Sequence, residues 1–415
     1  MTAASTSPAV AGYCAKGWER VRDAFEENFA ARAELGASVC VVHRGETVVD
    51  LAGGWFDQTR TRVFGADDLV VFFSATKGMV AAAAHWLIDR GLLDLDAPVS
   101  RYWPEYAQNG KEATTVAMML NHSAGVPGFH EPLKQDAHLD WDYMVGRIAA
   151  ERPFWQPGLR NGYHALNFGW TVGELVRRVS GRGLGDVFRE TIAEPAGADI
   201  WIGLPESEEG RVSKVIPTFP APGEPVIEVY TNVQENPQSD SALVFTNSGG
   251  WSLAAIDAAS GDCIVNTRAH HAAVFGGAGG IGNARGLARV YAALDAGTLI
   301  SRDHVARMSQ TSMVSTRDPI LLVPTRFALG FMKSMDNRAL PLGTIKSFIV
   351  GEKAFGHVGA GGSFGMLDRE EGLAAGYTMN RLGVGVWLDE RGQSLVDAMY
   401  RTLGYRTNAP GVWVK

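Results

Sequence analysis

The chain of 415 residues has few cysteines and no long apolar run. Its three cysteines, Cys14, Cys40 and Cys263, lie far apart without CxxC spacing, which predicts reduced structural thiols rather than a disulfide framework. The longest apolar run, Met79–Ala84, is too short to cross a bilayer. The N-terminal stretch does not have the basic and apolar segments of a signal peptide. We therefore expect a soluble cytoplasmic protein that does not act at a membrane.

An excess of basic residues is also absent, since the formal net charge is -7. Nucleic-acid binding needs a basic surface, so no nucleic-acid partner is expected. Hydrophobic residues make up 46% of the chain and charged residues 20%. This composition is typical of a protein with a large packed core. It says nothing about the oligomeric state, which stays open.

Periodicity places strands at both ends of the chain and helices in the middle. Strands are predicted at 38–43, 47–52, 69–73, 326–333, 353–358, 363–368 and 373–379. Helices are predicted at 15–33, 74–93, 166–181, 184–193, 283–295, 302–309 and 393–403. The pattern predicts an α+β fold (an α/β sandwich), in which an antiparallel sheet is flanked by helices.

The predicted fold divides the chain into two regions. Residues 1–72 and 315–415 form the sheet region, and residues 73–314 form a mainly helical region. Within the helical region, residues 204–250 are rich in proline, glutamate and serine and have little periodicity. The segment is too long for a simple connection, which indicates a lid or a substrate-shaping insertion.

One tetrad can carry nucleophilic chemistry. Ser74-Ala75-Thr76-Lys77 has the form S-x-x-K and stands where an apolar helix begins. Residues three apart share a helix face, so the lysine amine can reach the serine hydroxyl. A buried lysine has a lowered pKa and can accept the hydroxyl proton. By itself the tetrad also fits a serine N-cap followed by a surface lysine.

Further motifs follow the tetrad in order, and together they resemble the serine β-lactamase-related hydrolases. They are Met119–Phe129 (MLNHSAGVPGF in outline), Gly162-Tyr163-His164-Ala165 and Gly356-His357-Val358-Gly359. The resemblance extends from about residue 20 to 403 and is strongest to the esterase branch, the family VIII carboxylesterases. It implies a β-lactamase/penicillin-binding-protein-like fold and an acyl-enzyme on Ser74.

The resemblance also implies roles for other residues. Tyr163 matches the catalytic tyrosine, whose phenol shares the base role with Lys77. The N–H groups of Ser74 and Ala360 match the oxyanion hole. Residues expected to contact substrate are His357, Gly359, Phe129 and Trp155.

Two departures from the β-lactamase pattern favour neutral esters over antibiotics. Ala165 stands where that branch has asparagine, and His357 stands where it has lysine. A histidine is mostly neutral at pH 7 and offers no fixed charge to a lactam carboxylate. We therefore predict a serine carboxylesterase acting on small, short-chain esters. A β-lactamase or D-amino-acid peptidase or amidase, an acyltransferase to an acceptor other than water, and a non-catalytic binding module stay open as alternatives.

Three other patterns resemble functional motifs but are interpreted as having no catalytic or ligand-binding role. Residues 361–365 match G-x-S-x-G, but no histidine follows and the surroundings predict a hairpin. Residues 277–282 match G-x-G-x-x-G without a parallel βαβ series around them. The histidines at 130, 138, 270 and 271 lack metal-ligand spacing. No metal and no cofactor are expected, and the predicted partner is a small-molecule ester.

Overall fold

The computed structural model describes residues 9–221, 223–253 and 255–415. The strands are β1 Ala11–Cys14, β2 Gly36–His43, β3 Glu46–Gly54, β4 Val70–Val71, β5 Ile200–Ile202, β6 Gly280–Gly282, β7 Met313–Ser315, β8 Thr325–Phe327, β9 Phe355–Val358, β10 Phe364–Asp368 and β11 Leu373–Met379. The α-helices are α1 Glu19–Ala31, α2 Thr76–Asp89, α3 Val116–Leu120, α4 Trp141–Ala150, α5 Phe168–Ser180, α6 Leu184–Phe188, α7 Glu228–Glu235, α8 Asp240–Thr246, α9 Arg268–Ala272, α10 Ala284–Ala296, α11 Arg302–Met308 and α12 Glu390–Thr402.

The main sheet is built from both ends of the described chain. Its strand order is β1-β3-β2-β11-β10-β9, and every pairing is antiparallel. The β2–β3 hairpin turns at Arg44 and Gly45, whose φ angles of 52° and 85° are those of a tight two-residue turn. The predicted α+β architecture, with an antiparallel sheet and a helical middle, is confirmed.

Helices cover both faces of this sheet. A Cβ atom on Gly376 of β11 would lie 2.3 Å from the carbonyl oxygen of Ala284, so glycine lets α10 pack closely on one face. Neighbouring strand residues point to opposite faces. Accordingly, the Tyr377 hydroxyl donates to Glu34 on the other side, where Arg391 of α12 pairs with the same carboxylate at 2.8 Å. Helix α10 from the middle of the chain therefore covers one face of the sheet, and α12 from its end covers the other.

Helix α2 lies in the middle of the protein, as its apolar sequence predicts. Eleven of its fourteen residues are buried, and it packs against α5, α6 and β9. The helix begins at Thr76 rather than at the predicted residue 74. Ser74 lies in the turn between β4 and α2, and a small sheet of order β4-β6-β5 holds the strand that precedes it. None of the described helices is long and apolar enough to cross a membrane.

The structure differs from the sequence prediction in several elements, and three of these differences have a clear physical reason. The first strand, β1, was not predicted because its glycine and its exposed face hide the alternation. The predicted strand 326–333 is limited to β8, because the chain turns at Gly330 with a φ of 84°. The segment 204–250 contains α7 and α8, which are too short, at 8 and 7 residues, to give a clear helical period.

Candidate active site

Ser74 is presented by a strained turn. Phe73, immediately before it, has a φ of 48°, which is uncommon for a residue with a large side chain. The strand leading to this turn is fixed, since Phe72 donates its N–H to Gly280 at 3.0 Å and its carbonyl accepts the Ser363 hydroxyl at 2.8 Å. Ser74 is partly exposed between buried neighbours. A strained backbone held on both sides thus directs this hydroxyl toward open space.

Lys77 is buried beside Ser74 and lies in reach of three oxygen atoms. Its Nζ atom is 2.9 Å from Ser74 Oγ, 2.7 Å from the Ala165 carbonyl and 2.6 Å from the Gly277 carbonyl. Carbonyl oxygens can only accept, so the two N–H bonds of a neutral amine satisfy them. The amine lone pair is then left for the Ser74 hydroxyl. Burial lowers the pKa of Lys77 well below its ordinary value, which favours this neutral form.

Tyr163 completes the group of polar side chains at Ser74. Its ring centroid is 4.8 Å from Lys77 Nζ, and its phenol lies near enough to the Ser74 side chain to interact with it. Burial raises the pKa of this phenol above its ordinary value, and the Ser74 contact only partly opposes the shift. The protonated phenol is therefore the form present at neutral pH. Ser74, Lys77 and Tyr163, all predicted from sequence, lie together.

The loop that carries Tyr163 is held by three consecutive backbone N–H groups. Gly162 donates to the His122 carbonyl at 3.0 Å, and His164 donates to Nδ1 of the same histidine at 3.2 Å. Between them, the Tyr163 N–H donates to both carboxylate oxygens of Asp318, at 3.0 and 3.2 Å. His122 and Asp318 thus fix the backbone on which the phenol is carried.

Asp318 is fully buried and has no sequence signal that marks it. Besides Tyr163, it accepts from the N–H of Ile320 at 2.8 Å, the N–H of Leu321 at 3.0 Å and the hydroxyl of Thr325 at 3.4 Å. Burial raises the pKa of this carboxyl to about 6, against the hydrogen bonds that lower it. It is therefore ionised at pH 7 and able to serve all of these donors.

The loop after β9 approaches the Ser74 turn closely. A Cβ on Gly359 would lie 2.2 Å from the Phe72 carbonyl oxygen, so only glycine fits there. The next residue, Ala360, lines the same cavity as Ser74. Within the described residues, neither the Ser74 nor the Ala360 N–H has an acceptor in hydrogen-bonding geometry. Both amides are therefore available to a bound oxygen atom.

His357, predicted to contact substrate, lies behind the site instead of on its surface. The residue is fully buried, and Nδ1 is 2.7 Å from the Val358 carbonyl, so Nδ1 carries the proton. Burial, with a smaller contribution from Lys77, lowers the pKa of His357 to about 3. The ring is neutral at pH 7 and its centroid lies 6.2 Å from that of Tyr163. Gly359 likewise packs against the backbone and does not line the cavity.

A cavity of about 450 Å³ opens at Ser74. Its walls are almost entirely apolar, and no Lys, Arg, His, Asp or Glu of the described ranges lines it. Two further predicted contacts, Phe129 and Trp155, are not on these walls either. Phe129 lies at a smaller neighbouring cavity, and Trp155 packs edge-on against His164. Part of the wall comes from the segment 204–250, which the sequence indicated as a lid or a substrate-shaping insertion. Trp251, Leu253 and Trp387, which the sequence did not indicate, also line the cavity.

The two glycine-rich motifs that were interpreted as non-functional have structural roles. Gly277, in the G-x-G-x-x-G match, supplies a carbonyl to Lys77. Ser363, in the G-x-S-x-G match, is buried and donates its hydroxyl to Phe72. The three cysteines are free thiols. Over the described ranges, no group of three or more His, Cys, Asp or Glu side chains could hold a metal ion.

The antiparallel sheet, the central helix and the serine at its start define a class that comparison with known proteins identifies. The chain belongs to the β-lactamase family, whose family model matches residues 21–395. It is 34% identical over 371 residues to the esterase/β-lactamase LipL of Mycobacterium tuberculosis (strain ATCC 25618 / H37Rv), covering 86% of this chain and 80% of LipL.

Two solved structures are similar over nearly the whole chain. A family VIII carboxylesterase is 36% identical with a TM-score of 0.79, covering 95% of this chain and 100% of that chain. A penicillin-binding protein homologue from Caulobacter crescentus is 33% identical with a TM-score of 0.80, with the same coverage.

Proposed function

We propose that this protein is a serine carboxylesterase that hydrolyses uncharged esters through an acyl-enzyme on Ser74. The observation that carries the proposal is the cavity at Ser74, whose described walls bear no charged side chain. β-Lactams and peptide substrates carry a carboxylate, and burying a carboxylate without a cation is costly. The resemblance to a family VIII carboxylesterase and to LipL, named an esterase/β-lactamase, supports the same reaction class.

The geometry suggests a mechanism with neutral groups. Ser74 attacks the ester carbonyl while its proton passes to the lone pair of Lys77. The N–H groups of Ser74 and Ala360 stabilise the resulting oxyanion. As the intermediate collapses, Tyr163 donates its proton to the leaving alkoxide and is reprotonated from Lys77. Water then adds to the acyl-enzyme by the reverse path, and the acid is released.

The direct test is Ser74→Ala. We expect kcat/KM for p-nitrophenyl butyrate to fall by at least about 10³-fold, because the acyl-enzyme cannot form. A fluorophosphonate probe should add to Ser74 in the wild type, which intact-mass and peptide spectrometry would show. Wild-type turnover by Ser74→Ala, or an adduct on another residue, would contradict the proposal.

Two controls sharpen this test. Ser363→Ala removes the G-x-S-x-G serine and should leave the adduct on Ser74, since Ser363 is buried and does not line the cavity at Ser74. A chromogenic cephalosporin tests the rival reaction, and its opening faster than the ester would place a β-lactamase ahead of an esterase.

Asp318→Asn tests how the tyrosine is positioned. The amide keeps the size of the side chain, but its NH₂ group faces backbone donors that need an acceptor. We expect kcat to fall roughly 5- to 150-fold, the equivalent of about 1–3 kcal/mol, with KM changed much less. Steady-state kinetics and thermal unfolding would measure this.

Leaving-group dependence separates positioning from simple loss of structure. If Tyr163 protonates the alkoxide, the loss of kcat in Asp318→Asn should be larger for an alkyl ester than for a p-nitrophenyl ester. Tyr163→Phe should show the same difference between the two esters. Asp23→Asn, at an exposed position on α1, serves as the matched control. Equal losses on both esters would remove Asp318 from a positioning role.

A further inference from the structure

The cavity at Ser74 is much larger than a short acyl group requires. Its volume is about 450 Å³. An acetyl group would fill only a small part of it. Volumes of roughly 300–1,000 Å³ are typical of pockets that enclose whole drug-sized ligands. The short-chain preference expected from the sequence therefore leaves most of this space unexplained.

One helix face forms part of the wall of this cavity. Val229, Tyr230 and Val233 of α7 line the cavity, and Phe245 of α8 stands beside them. Val229 and Val233 are four residues apart, so they lie on the same side of the helix. Val229 is buried and Val233 half-buried, whereas Gln234 is exposed and does not line the cavity.

The position of this wall is fixed by polar contacts. Glu228, at the start of α7, pairs with Arg317 at 2.6 Å. Asn232 donates to the Ser239 hydroxyl at 2.6 Å, which ties α7 to the start of α8. Ser241 of α8 donates in turn to the Ile320 carbonyl at 2.8 Å, two residues from Asp318. The apolar face is therefore built into the fold around the site.

We propose that the α7 face formed by Val229, Tyr230 and Val233 is a subsite for an uncharged apolar chain of about six or more carbons on the ester. This inference rests on the proposed esterase function and extends it to the substrate class. Each methylene buried against such a wall contributes about 0.8 kcal/mol, so kcat/KM should rise about 3- to 4-fold per added methylene until the cavity is full. A charged chain end would find no partner on the described wall.

The test compares Val233→Trp with Gln234→Trp. Both place an indole on α7, but only the first points it into the cavity. Two ester series are used: p-nitrophenyl acetate to decanoate, which varies the acyl chain, and methyl to decyl acetate, which varies the alcohol. The wild type should gain at least 10-fold in kcat/KM from the shortest to the six-carbon member of one series.

Val233→Trp should lower the ratio of kcat/KM for the eight-carbon member to kcat/KM for acetate by at least 10-fold, while Gln234→Trp keeps the wild-type ratio. An ester ending in a carboxylate, such as a p-nitrophenyl adipate monoester, should react at least 100-fold more slowly than the hexanoate. Flat profiles in both series, or an unaffected Val233→Trp, would overturn the subsite. Absence of turnover with every ester, acetate included, would instead contradict the esterase proposal itself.

Discussion

Replacing Lys77 with methionine is expected to lower kcat/KM for ester hydrolysis by about 10²- to 10⁴-fold, the range that a general base contributes. In its neutral form the amine has two N–H bonds for the Ala165 and Gly277 carbonyls and a lone pair for the Ser74 hydroxyl, which lies 2.9 Å from Nζ. Methionine fills similar space but cannot accept the serine proton. Steady-state kinetics with p-nitrophenyl esters would measure the loss.

The pH dependence of the wild type follows from the same group. Lys77 acts in its neutral form, and burial lowers its pKa well below the ordinary lysine value. The active form thus persists to a pH well below the ordinary pKa, and kcat/KM should fall in acid as Lys77 takes up a proton. The acid limb should disappear in Lys77→Met. An acid limb that survives in this variant would assign the proton to another group.

Two variants guard against a merely structural explanation. Lys77→Arg should also be inactive, because a guanidinium stays protonated. Lys111 is a matched control, since its Nζ is likewise buried and donates to the Gln108 and Ala149 carbonyls, each at 3.0 Å. Lys111→Met should lower the thermal unfolding temperature without a comparable loss of kcat. Loss of activity in Lys111→Met equal to that in Lys77→Met would show that stability alone is responsible.

The parts of the site that could be predicted from sequence are those that local spacing determines. Ser74 and Lys77 are three residues apart at the start of an apolar helix, so their contact depends on little else. Tyr163 and Ala360 were indicated only by resemblance to a family, because nothing in their own neighbourhoods marks them. The sheet was predictable because β-branched runs at both chain ends alternate with turn residues.

The parts that could not be predicted depend on distant contacts. Asp318 lies 155 residues from the tyrosine whose N–H it accepts, and it resembles any other aspartate in the sequence. The apolar face of α7 spans barely two helical turns, too few to give a clear period. Phe129 and Trp155 were expected at the substrate but do not line the cavity at Ser74, because aromatic character does not tell which cavity a ring faces.

Burial favours the neutral form of many ionisable groups in this protein. Buried histidines show this effect both at the active site and elsewhere in the fold. Six buried histidines have lowered pKa values, mainly because burial disfavours the charged ring. The pKa is about 3 for His85 and His357 and about 4 for His138 and His164. For His122 and His270 it also lies well below the ordinary value.

We therefore expect the protein to lose stability steeply as the pH falls below about 6.5. The unfolded chain takes up protons on these rings near pH 6.5, whereas the folded state does so only at lower pH. Each such histidine then removes up to about 1.4 kcal/mol of unfolding free energy per pH unit. Against a typical total of about 5–15 kcal/mol, the combined loss should unfold the chain within a few pH units. Buried carboxyls with raised pKa values, such as Asp318, offset part of this loss.

Urea unfolding at pH 8, 7, 6 and 5.5 would measure this effect, with circular dichroism confirming the fold at the pH values used for kinetics. His270→Phe isolates one contribution, because His270 is fully buried among aromatic rings and, in the described structure, neither ring nitrogen has a hydrogen-bond partner. Phenylalanine does not titrate, so this variant should lose stability less steeply in acid, by about one proton's share of the slope. An unchanged slope in His270→Phe, or a wild type equally stable at pH 7 and pH 5.5, would show that buried histidines do not govern its acid stability.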